Sequence, residues 1–117
     1  MLRFCQNRII AFDVDDTLIR LDKPKHLKDS DGVVIDGNRY WLHYKHIEKL
    51  KEKFNQGFGV LVWSQSGDEW ADKVIRELKL ENFVHLAMTK PEECVDDLPV
   101  KEWMKRSYIK EFKGDNE

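Results

Sequence analysis

The sequence predicts a single α/β domain built on a parallel β-sheet. Two observations support this expectation: short, uninterrupted apolar runs recur along the chain, and amphipathic segments of helical period lie between them. An apolar run without polar interruptions is typical of a strand buried on both faces, as in a parallel sheet. Alternation of such strands with helices indicates right-handed crossovers. Because 117 residues leave room for one core, we expect the domain to occupy residues 1–117.

Four apolar runs are the candidate strands of this sheet. The first ends abruptly at Asp13, the second is entered through Gly57 and Gly59, and the last is very short. Polar or glycine residues bound each run, as expected where a strand meets a loop. The candidates are residues 9–12, 60–63, 83–88 and 94–95.

Three amphipathic segments are predicted to be helices. In the first, Ile47, Leu50 and Phe54 follow the i, i+3, i+7 spacing of one helix face. Asp68 is a candidate N-cap for the second helix, and Pro99 suits the first turn of the third. The expected helices cover residues 47–54, 68–78 and 99 to about 112.

The segment between the first strand and the first helix interrupts this alternation. Two β-prone runs flank Asp36-Gly37, a dipeptide that favours the tight turn of a β-hairpin. The hairpin is expected over about residues 31–43. Because it follows the first strand directly, it should project as a flap from the carboxyl end of that strand.

Composition and charge narrow the classes of protein. Hydrophobic residues make up 41% of the chain and charged residues 36%, which is too apolar for a disordered protein. The net charge of −2 gives no global attraction to nucleic acid or anionic membranes, although a local basic patch stays open. No apolar run is long enough to cross a bilayer, and the first residues lack a signal peptide's apolar stretch. Cys5 and Cys94 are expected to be free thiols, so we expect a cytoplasmic protein.

Two carboxylates follow the first strand, at the edge where open α/β sheets bind their ligands. Asp13 and Asp15 are two positions apart, so their side chains can point to the same side. Carboxylates at the end of a buried strand need compensation, and a divalent cation such as Mg²⁺ supplies it. The alternative is a structural role, in which both aspartates cap a turn and Asp16 or Thr17 begins a helix.

Four polar motifs occur in order at the ends of the candidate strands. Residues 12–18 read Phe-Asp-Val-Asp-Asp-Thr-Leu, and the second strand ends in Ser64. Lys90 follows the third strand in Thr-Lys-Pro, and Asp96-Asp97 follow the fourth. In this order they resemble the motifs of the haloacid dehalogenase superfamily, most of whose members are phosphatases. Taken singly, the later motifs have ordinary interpretations as a turn, a solvated lysine and a helix N-cap.

The resemblance implies a two-step phosphoryl transfer. Asp13 would be the nucleophile and Asp15 the general acid and base. Mg²⁺ would be held by Asp13, by the backbone carbonyl of Asp15 and by the acidic pair. Asp97 is favoured as the direct ligand, and Asp96 would either bind the ion through water or orient Lys90. An aspartate two residues after the nucleophile favours phosphate chemistry over dehalogenation. Thr17, Gln65, Ser64 and Lys90 would bind the phosphate. Ser64 and Lys90 would also be catalytic.

The resemblance also implies a three-layer Rossmann-like fold with a sheet order of 4-1-2-3, counted along the four candidate strands. The gaps between the motifs hold only a hairpin and single helices, so the protein looks like a capless member with an open site. Members of this kind tend to accept large substrates. The whole pattern looks like a small bacterial and phage branch of the superfamily.

A nucleotide or a nucleic-acid end is the leading expectation for the substrate. Arg39 and Trp41 belong to an aromatic and basic cluster that could stack on a base. The alternative is that Tyr40 and Trp41 pack the hairpin onto the domain, and sugar phosphates or phosphoproteins stay open as substrates. A rival from another class is a catalytically silent domain that binds Mg²⁺ or a phosphorylated partner. We expect a monomer or a weak homo-oligomer.

Overall fold

The strands that the structure describes form two small sheets, and helices pack against the larger one. The computed structural model describes residues 6–110. Two one-turn 3₁₀ helices occupy Asp29–Asp31 and Glu81–Phe83. The other elements, in chain order, are β1 (Ile9–Asp13), β2 (Ile19–Arg20), β3 (Val33–Ile35), β4 (Asn38–Leu42), α1 (Tyr44–Asn55), β5 (Gly59–Ser64), α2 (Asp68–Glu77), β6 (Leu86–Thr89) and α3 (Val100–Trp103).

The larger sheet is parallel and has the order β1-β5-β6. The crossover from β1 to β5 contains α1, and the crossover from β5 to β6 contains α2. The expected α/β class is therefore confirmed, and the first two strands form where the apolar runs predicted them. The third strand begins later than predicted, because Glu81–Phe83 forms a 3₁₀ turn before the chain extends into β6.

The hydrophobic core lies on one face of this sheet. Val60 and Val62 alternate with outward-pointing residues and join a buried cluster that includes Leu50 of α1 and Val74 of α2. Trp63 points to the other face and is only half-buried. Both crossovers advance in the same direction across the sheet, and right-handed crossovers of that kind put both helices on one face. α1 and α2 therefore cover the same face of the sheet, and this parallel α/β arrangement is compatible with the expected Rossmann-like fold.

The fourth candidate strand does not form within residues 6–110. The chain around residues 94–95 pairs with no strand there, and Val95 is 99% exposed. Two apolar residues between acidic pairs form too short a run to fix a register, and the Leu98 N–H donates to Asp96 Oδ1 at 2.9 Å in a local turn. The described sheet is thus 1-2-3, and β1 is an edge strand.

The expected hairpin is present and forms a second, antiparallel sheet. β3 and β4 pair around Asp36 and Gly37, whose φ angles of 51° and 81° suit a tight hairpin turn. The short strand β2, which the sequence pattern did not predict, pairs with the other edge of β4. Lys73 of α2 pairs with Asp36 at 2.8 Å, so the turn rests on α2. This contact ties the hairpin to the helix layer.

Two of the predicted helix ends need correction. Asp68 is the first residue of α2 and not its N-cap; Gly67 is the N-cap, with a φ of 109° that favours glycine. The third helix ends at Trp103, far short of residue 112. Beyond Trp103 the chain makes long-range contacts in place of helical hydrogen bonds. The N–H of Ile109 bonds to the ring of His46 in α1, and its carbonyl bonds to the ring of His43, the N-cap of α1. Residues 111–112 lie outside the described part of the chain.

Two sequence expectations concern the membrane and the cysteines. Within residues 6–110, no helix combines the length and the apolar character that a membrane span requires. Cys94 is a free, exposed thiol. Cys5 lies outside the described residues, so its state stays a prediction.

Candidate active site

Asp13 is the last residue of β1, and its carboxylate contacts two polar side chains. Lys90 Nζ lies 3.9 Å from Asp13 Oδ1, and Thr17 Oγ1 donates to Asp13 Oδ2 at 3.5 Å. The Asp13 and Lys90 side chains are 33% and 35% exposed, so a solute can reach both. Thus one oxygen of Asp13 faces a cation while the other faces a hydroxyl.

Burial raises the pKa of Asp13 above its ordinary value of 3.8. Lys90 acts in the opposite direction and is the largest of the opposing influences, followed by the backbone N–H of Val14. Asp15 adds a smaller increase, because a second carboxylate nearby disfavours the charge. Lys90 therefore helps to keep Asp13 ionised, which an attacking carboxylate must be.

The turn after β1 presents Asp15 on the same side as Asp13. The Val14 carbonyl accepts hydrogen bonds from the N–H groups of Thr17 and Leu18, which closes the turn. Asp16 has a φ of 64°, a conformation that aspartate tolerates better than most residues. The Trp70 indole Nε1–H of α2 donates to Asp15 Oδ1 at 3.4 Å. Asp15 is otherwise exposed to solvent.

Ser64 and Lys90 meet through their backbones. The Lys90 N–H donates to the Ser64 carbonyl at 2.9 Å, just beyond the paired residues Ser64 and Thr89. The Ser64 side chain is 1% exposed, and its Oγ accepts the N–H of Ser66 at 3.0 Å. Gln65 is exposed on the following loop. Ser64 therefore shapes this loop and fixes the start of the Lys90 segment.

A cavity of about 830 Å³ opens at the free edge and the carboxyl end of β1. Asp13, Asp15, Thr17 and Lys90 all line it, so the structure brings these four predicted residues together. The lining does not include Ser64 or Gln65. Its remaining walls come from β1 and the turn after it, from β2, α1 and β5, and from the chain that begins with α3. They include Arg20, Lys49, Trp63, Lys105, Arg106 and Tyr108.

Besides Ser64 and Gln65, four more predicted site residues lie outside this cavity. Trp41 is 6% exposed and donates through Nε1 to the Lys28 carbonyl, while Arg39 donates to the Asp29 carbonyl. These bonds hold the hairpin to the preceding loop, which is the packing role left open for Trp41. Asp96 and Asp97 lie on the exposed segment before α3. The Leu98 N–H, together with a hydrogen bond from Asp97, lowers the pKa of Asp96 below 3.8.

The acidic side chains at the cavity fit a magnesium ion by their chemistry. Carboxylate oxygens are hard ligands, and Mg²⁺ is commonly bound by one or two carboxylates with waters and a substrate phosphate. Asp13 supplies one carboxylate at the cavity, and Asp15, whose backbone carbonyl is the expected second ligand, lines the same cavity. Among residues 6–110, no group of three or more acidic, histidine or cysteine side chains converges on one point. The fit therefore rests on Asp13 and Asp15, without the acidic pair.

Several cavity residues were not predicted from the sequence. Tyr108 lines the cavity, and its hydroxyl donates to the Asp16 carbonyl at 3.1 Å. Lys49 donates to Ser107 Oγ at 3.0 Å, and Arg106 lies 5.9 Å from the centre of the Tyr108 ring. The sequence pattern missed these contacts because it predicted a helix through residue 112 in place of the extended segment. The sequence carries no local signal for the docking of this segment, because its partners on α1 and at the N-cap of α1 lie more than sixty residues away.

A parallel strand that ends in Asp13, followed two residues later by Asp15 and faced by Lys90, defines an α/β phosphatase of the haloacid dehalogenase type. The family model of the NLI interacting factor-like phosphatases matches residues 8–113, so the chain belongs to that family. This match confirms the resemblance seen in the motifs, and it makes the chain a phosphatase and hence a hydrolase. Comparison with curated proteins and with solved structures gives no match.

Proposed function

We propose that the chain hydrolyses phosphomonoesters through a phosphoryl group carried on Asp13. The main support is the contact between Asp13 and Lys90, 3.9 Å apart, on a cavity that Asp15 also lines. A carboxylate attacks a phosphate ester only if the repulsion between the two anions is reduced. Lys90 reduces it next to the nucleophile, and solvent exposure leaves room for the ester.

In the first step, a carboxylate oxygen of Asp13 attacks phosphorus, and the ester P–O bond breaks as the new bond forms. Asp15 gives its proton to the leaving oxygen, so that an alcohol leaves. The Trp70 indole N–H, 3.4 Å from Asp15 Oδ1, orients this carboxyl group. Thr17 holds the other face of the Asp13 carboxylate.

In the second step, water attacks the phosphorus of the aspartyl-phosphate. Asp15, now ionised, takes a proton from that water, and the bond between phosphorus and the Asp13 oxygen breaks. Phosphate leaves, and Asp13 and Asp15 return to their starting states. Mg²⁺, held by the Asp13 carboxylate and the Asp15 backbone carbonyl, would screen the negative charges of the nucleophile and the phosphate and would leave the Asp15 carboxyl group free to carry the proton.

The acidic pair joins this site if the fourth strand pairs with β1. We propose that residues 94–95 add to the free edge of β1, which gives the order 4-1-2-3 and carries Asp96 and Asp97 toward Asp13. Two observations support this: the β1 edge lines the cavity, and Val95 is 99% exposed. An unpaired edge and an exposed apolar side chain both favour added strand pairing.

The substrate we propose is a phosphorylated end of a nucleic acid or a nucleotide. Five cations line the cavity, and three of them, Lys49, Lys105 and Arg106, lie on walls away from β1. A cavity of about 830 Å³ takes a ligand far larger than a single phosphate. Lys90 faces the nucleophile and can serve the reacting phosphate. The three cations away from β1 can bind additional phosphates of a nucleotide or nucleic acid. Sugar phosphates and phosphoproteins carry fewer such charges.

Release of phosphate from an aryl phosphate tests the activity. The wild type should turn over with Mg²⁺ and stop with EDTA, and Asp13→Asn should lose turnover by at least about a thousandfold. Asp22→Asn is the matched control, because Asp22 is an exposed aspartate on the same cavity. Folded, magnesium-loaded wild type that releases no phosphate from aryl, nucleotide or oligonucleotide phosphates would favour the catalytically silent alternative.

The substrate class is tested by comparing a phosphorylated oligonucleotide with an aryl phosphate. We expect kcat/KM for the oligonucleotide to fall steeply as the salt concentration rises. Salt cations compete with the lysines and arginines of the cavity for the phosphates of the oligonucleotide. Lys105→Ala/Arg106→Ala should lower kcat/KM more for the oligonucleotide than for the aryl phosphate. Lys25→Ala/Lys79→Ala, two exposed lysines outside the cavity lining, is the control. An equal loss for both substrates would argue for a small phosphate ester.

A further inference from the structure

Two buried histidines stack at the start of α1. His43, the N-cap residue, is 2% exposed, and His46 is 4% exposed. Their rings are nearly parallel, with an interplanar angle of 8° and centroids 3.7 Å apart. The Tyr108 ring meets both edge-on, at 5.6 and 4.8 Å. We call His43 and His46 the histidine pair.

The histidine pair binds both backbone groups of one distant residue. The Ile109 N–H donates to His46 Nε2 at 2.9 Å, and His43 Nε2 lies 2.8 Å from the Ile109 carbonyl. On the other side, His46 Nδ1 lies 2.7 Å from the Thr17 carbonyl. His43 Nδ1 accepts the His46 backbone N–H at 3.2 Å. The pair thus connects the turn after the nucleophile to the segment at Ile109.

These partners assign one proton to each ring. A carbonyl only accepts, so His46 carries its proton on Nδ1 and His43 carries its proton on Nε2. The other nitrogen of each ring faces a backbone N–H and must stay unprotonated. A second proton on either ring would break a backbone hydrogen bond and set a cation against its stacked partner. The observed arrangement therefore requires two neutral rings.

The segment that the pair holds, residues 107–110, is part of the cavity wall. Ser107 and Tyr108 line the cavity, and the Tyr108 hydroxyl donates to the Asp16 carbonyl. Two lysines of α1 bind the same segment: Lys49 donates to Ser107 Oγ, and Lys45 donates to the Lys110 carbonyl at 3.5 Å. We call residues 107–110 the docked segment. Its position fixes where Lys105 and Arg106 reach the cavity.

We propose that His43 and His46 are positioning residues that seat the docked segment beside the Asp15–Thr17 turn while both rings are neutral, and that acid releases it. The effect on catalysis rests on the proposed function, but the seating does not. Charged and titratable groups that contact the docked segment are Lys45 and Lys49 of α1, and Arg106 lies 5.9 Å from the centre of the Tyr108 ring. Tyr108 in turn binds the carbonyl of Asp16 in the turn.

Imidazole takes up a second proton between about pH 5 and 8, and the seated pair has no free nitrogen to accept it. The released segment leaves both rings free to bind a proton. By linkage, acid therefore favours release, and the docked segment should detach as the pH falls from 7.5 to 5.5. For the enzyme this means that KM rises with acid, because the wall that carries Lys105 and Arg106 is lost.

NMR on the wild type tests the seating without any variant. At pH 7.5, ring nitrogen shifts should give the Nδ1–H tautomer for His46 and the Nε2–H tautomer for His43, and the Ile109 amide should be protected from exchange. At pH 5.5, that protection should fall by at least about tenfold while the amides of β5 stay protected. An Ile109 amide that exchanges as in an unfolded chain at pH 7.5, or doubly protonated rings at that pH, would overturn the proposal.

Two sets of variants separate positioning from simple packing. A glutamine pair, His43→Gln/His46→Gln, still offers Ile109 one donor and one acceptor but cannot be protonated. It should protect Ile109 and keep KM for the phosphorylated oligonucleotide constant from pH 7.5 to 5.5. His46→Phe should remove the protection and raise KM by about tenfold or more. His26→Gln, an exposed histidine away from the cavity lining, is the control.

The rise of KM with acid is the decisive kinetic result. If the glutamine pair retains the wild-type rise in KM between pH 7.5 and 5.5, the histidines do not control the segment and the proposal fails. Protection of Ile109 is measured without turnover. A chain that protects Ile109 but releases no phosphate would thus support the seating and count against the proposed phosphatase reaction.

Discussion

Lys90 Nζ lies 3.9 Å from Asp13 Oδ1, although 77 positions separate the two residues along the chain. β1 ends at Asp13 and β6 ends at Thr89, so the two side chains reach the same edge of the parallel sheet from strands on either side of β5. Lys90 is further fixed by its N–H bond to the Ser64 carbonyl. Lys90 therefore has two effects at this contact. It can neutralise charge on the phosphate, and it lowers the pKa of Asp13, which favours the ionised nucleophile.

Replacement of Lys90 by methionine should therefore change both the rate and the pH dependence. We expect kcat to fall by about 10²–10³, the range seen when one electrostatic donor is removed from a reacting oxyanion. Without Lys90 the pKa of Asp13 rises further, so the acid limb of the kcat/KM profile should move to higher pH. Phosphate release as a function of pH measures both effects.

Lys90→Arg is the matched variant, because it keeps the charge. Its acid limb should stay close to that of the wild type even if its rate falls. An unshifted acid limb in Lys90→Met would contradict the assignment of that limb to Asp13.

The raised pKa of Asp13 predicts that its ionised form destabilises the fold. As the pH rises from 3.8 through the raised pKa, the folded chain keeps a proton that the unfolded chain releases, so the free energy of unfolding falls. Asp13→Asn has no carboxyl group to ionise, so it avoids this fall in the free energy of unfolding and should be more stable than the wild type at neutral pH. Since the carboxylate is 33% exposed and screened by water, we expect a gain below about 1 kcal/mol, or up to roughly 5 °C in Tm.

Thermal unfolding at pH 7.5 and at pH 3.0 measures this effect. The difference between Asp13→Asn and wild type should vanish at the lower pH, where Asp13 is protonated in both states. Asp22→Asn should leave Tm unchanged at both values, since Asp22 is exposed. A lower Tm for Asp13→Asn at pH 7.5 would show that the ionised carboxylate is a net stabilising group.

The contact between Trp70 and Asp15 predicts an effect that depends on the leaving group. Trp70→Phe keeps an aromatic ring next to Tyr40, whose centroid lies 5.8 Å away, but removes the N–H that Asp15 Oδ1 accepts at 3.4 Å. The rate should fall by about tenfold for alkyl phosphates, which need protonation of the leaving oxygen. It should fall much less for a nitrophenyl phosphate, whose leaving group needs no proton.

Single-turnover rates with the two classes of ester separate these cases. Trp103→Phe is the control, because Trp103 is 50% exposed and does not line the cavity. An equal loss for both esters would assign Trp70 to packing and not to the orientation of Asp15.

The strands were predictable where the local pattern was strong. The run before Asp13 and the run before Ser64 form β1 and β5, and the Asp36-Gly37 turn forms the hairpin. Asp13 directly follows one apolar run and Lys90 follows another after a single threonine, so the sequence also predicts that both lie at the carboxyl edge of the sheet. The structure of the segment around Ile109 depends on tertiary contacts. The bonds from Ile109 to His43 and His46 span more than sixty residues, and local periodicity, which favoured a helix through this segment, carries no signal for them.

The role of Trp41 and the position of the acidic pair show a second limit of sequence patterns. A tryptophan in a basic, aromatic segment has the same composition whether it contacts a substrate or packs inside a hairpin; its burial at 6% exposure favours packing. For residues 94–95, the apolar run is too short to compete with the polar turn at Asp96. The proximity of Asp96 and Asp97 to Asp13 is therefore a question for experiment.

Magnesium affinity answers that question. If residues 94–95 pair with β1, Asp97→Asn removes a direct ligand, and the magnesium concentration for half-maximal phosphate release should rise by about 10–100-fold. Asp96→Asn should cause a smaller rise, because Asp96 acts through an outer contact. Glu93→Gln is the matched control, since it removes an exposed carboxylate from the same segment. If all three variants keep the wild-type magnesium dependence, Mg²⁺ is held by Asp13 and Asp15 with water alone, and the fourth strand is not part of the working enzyme.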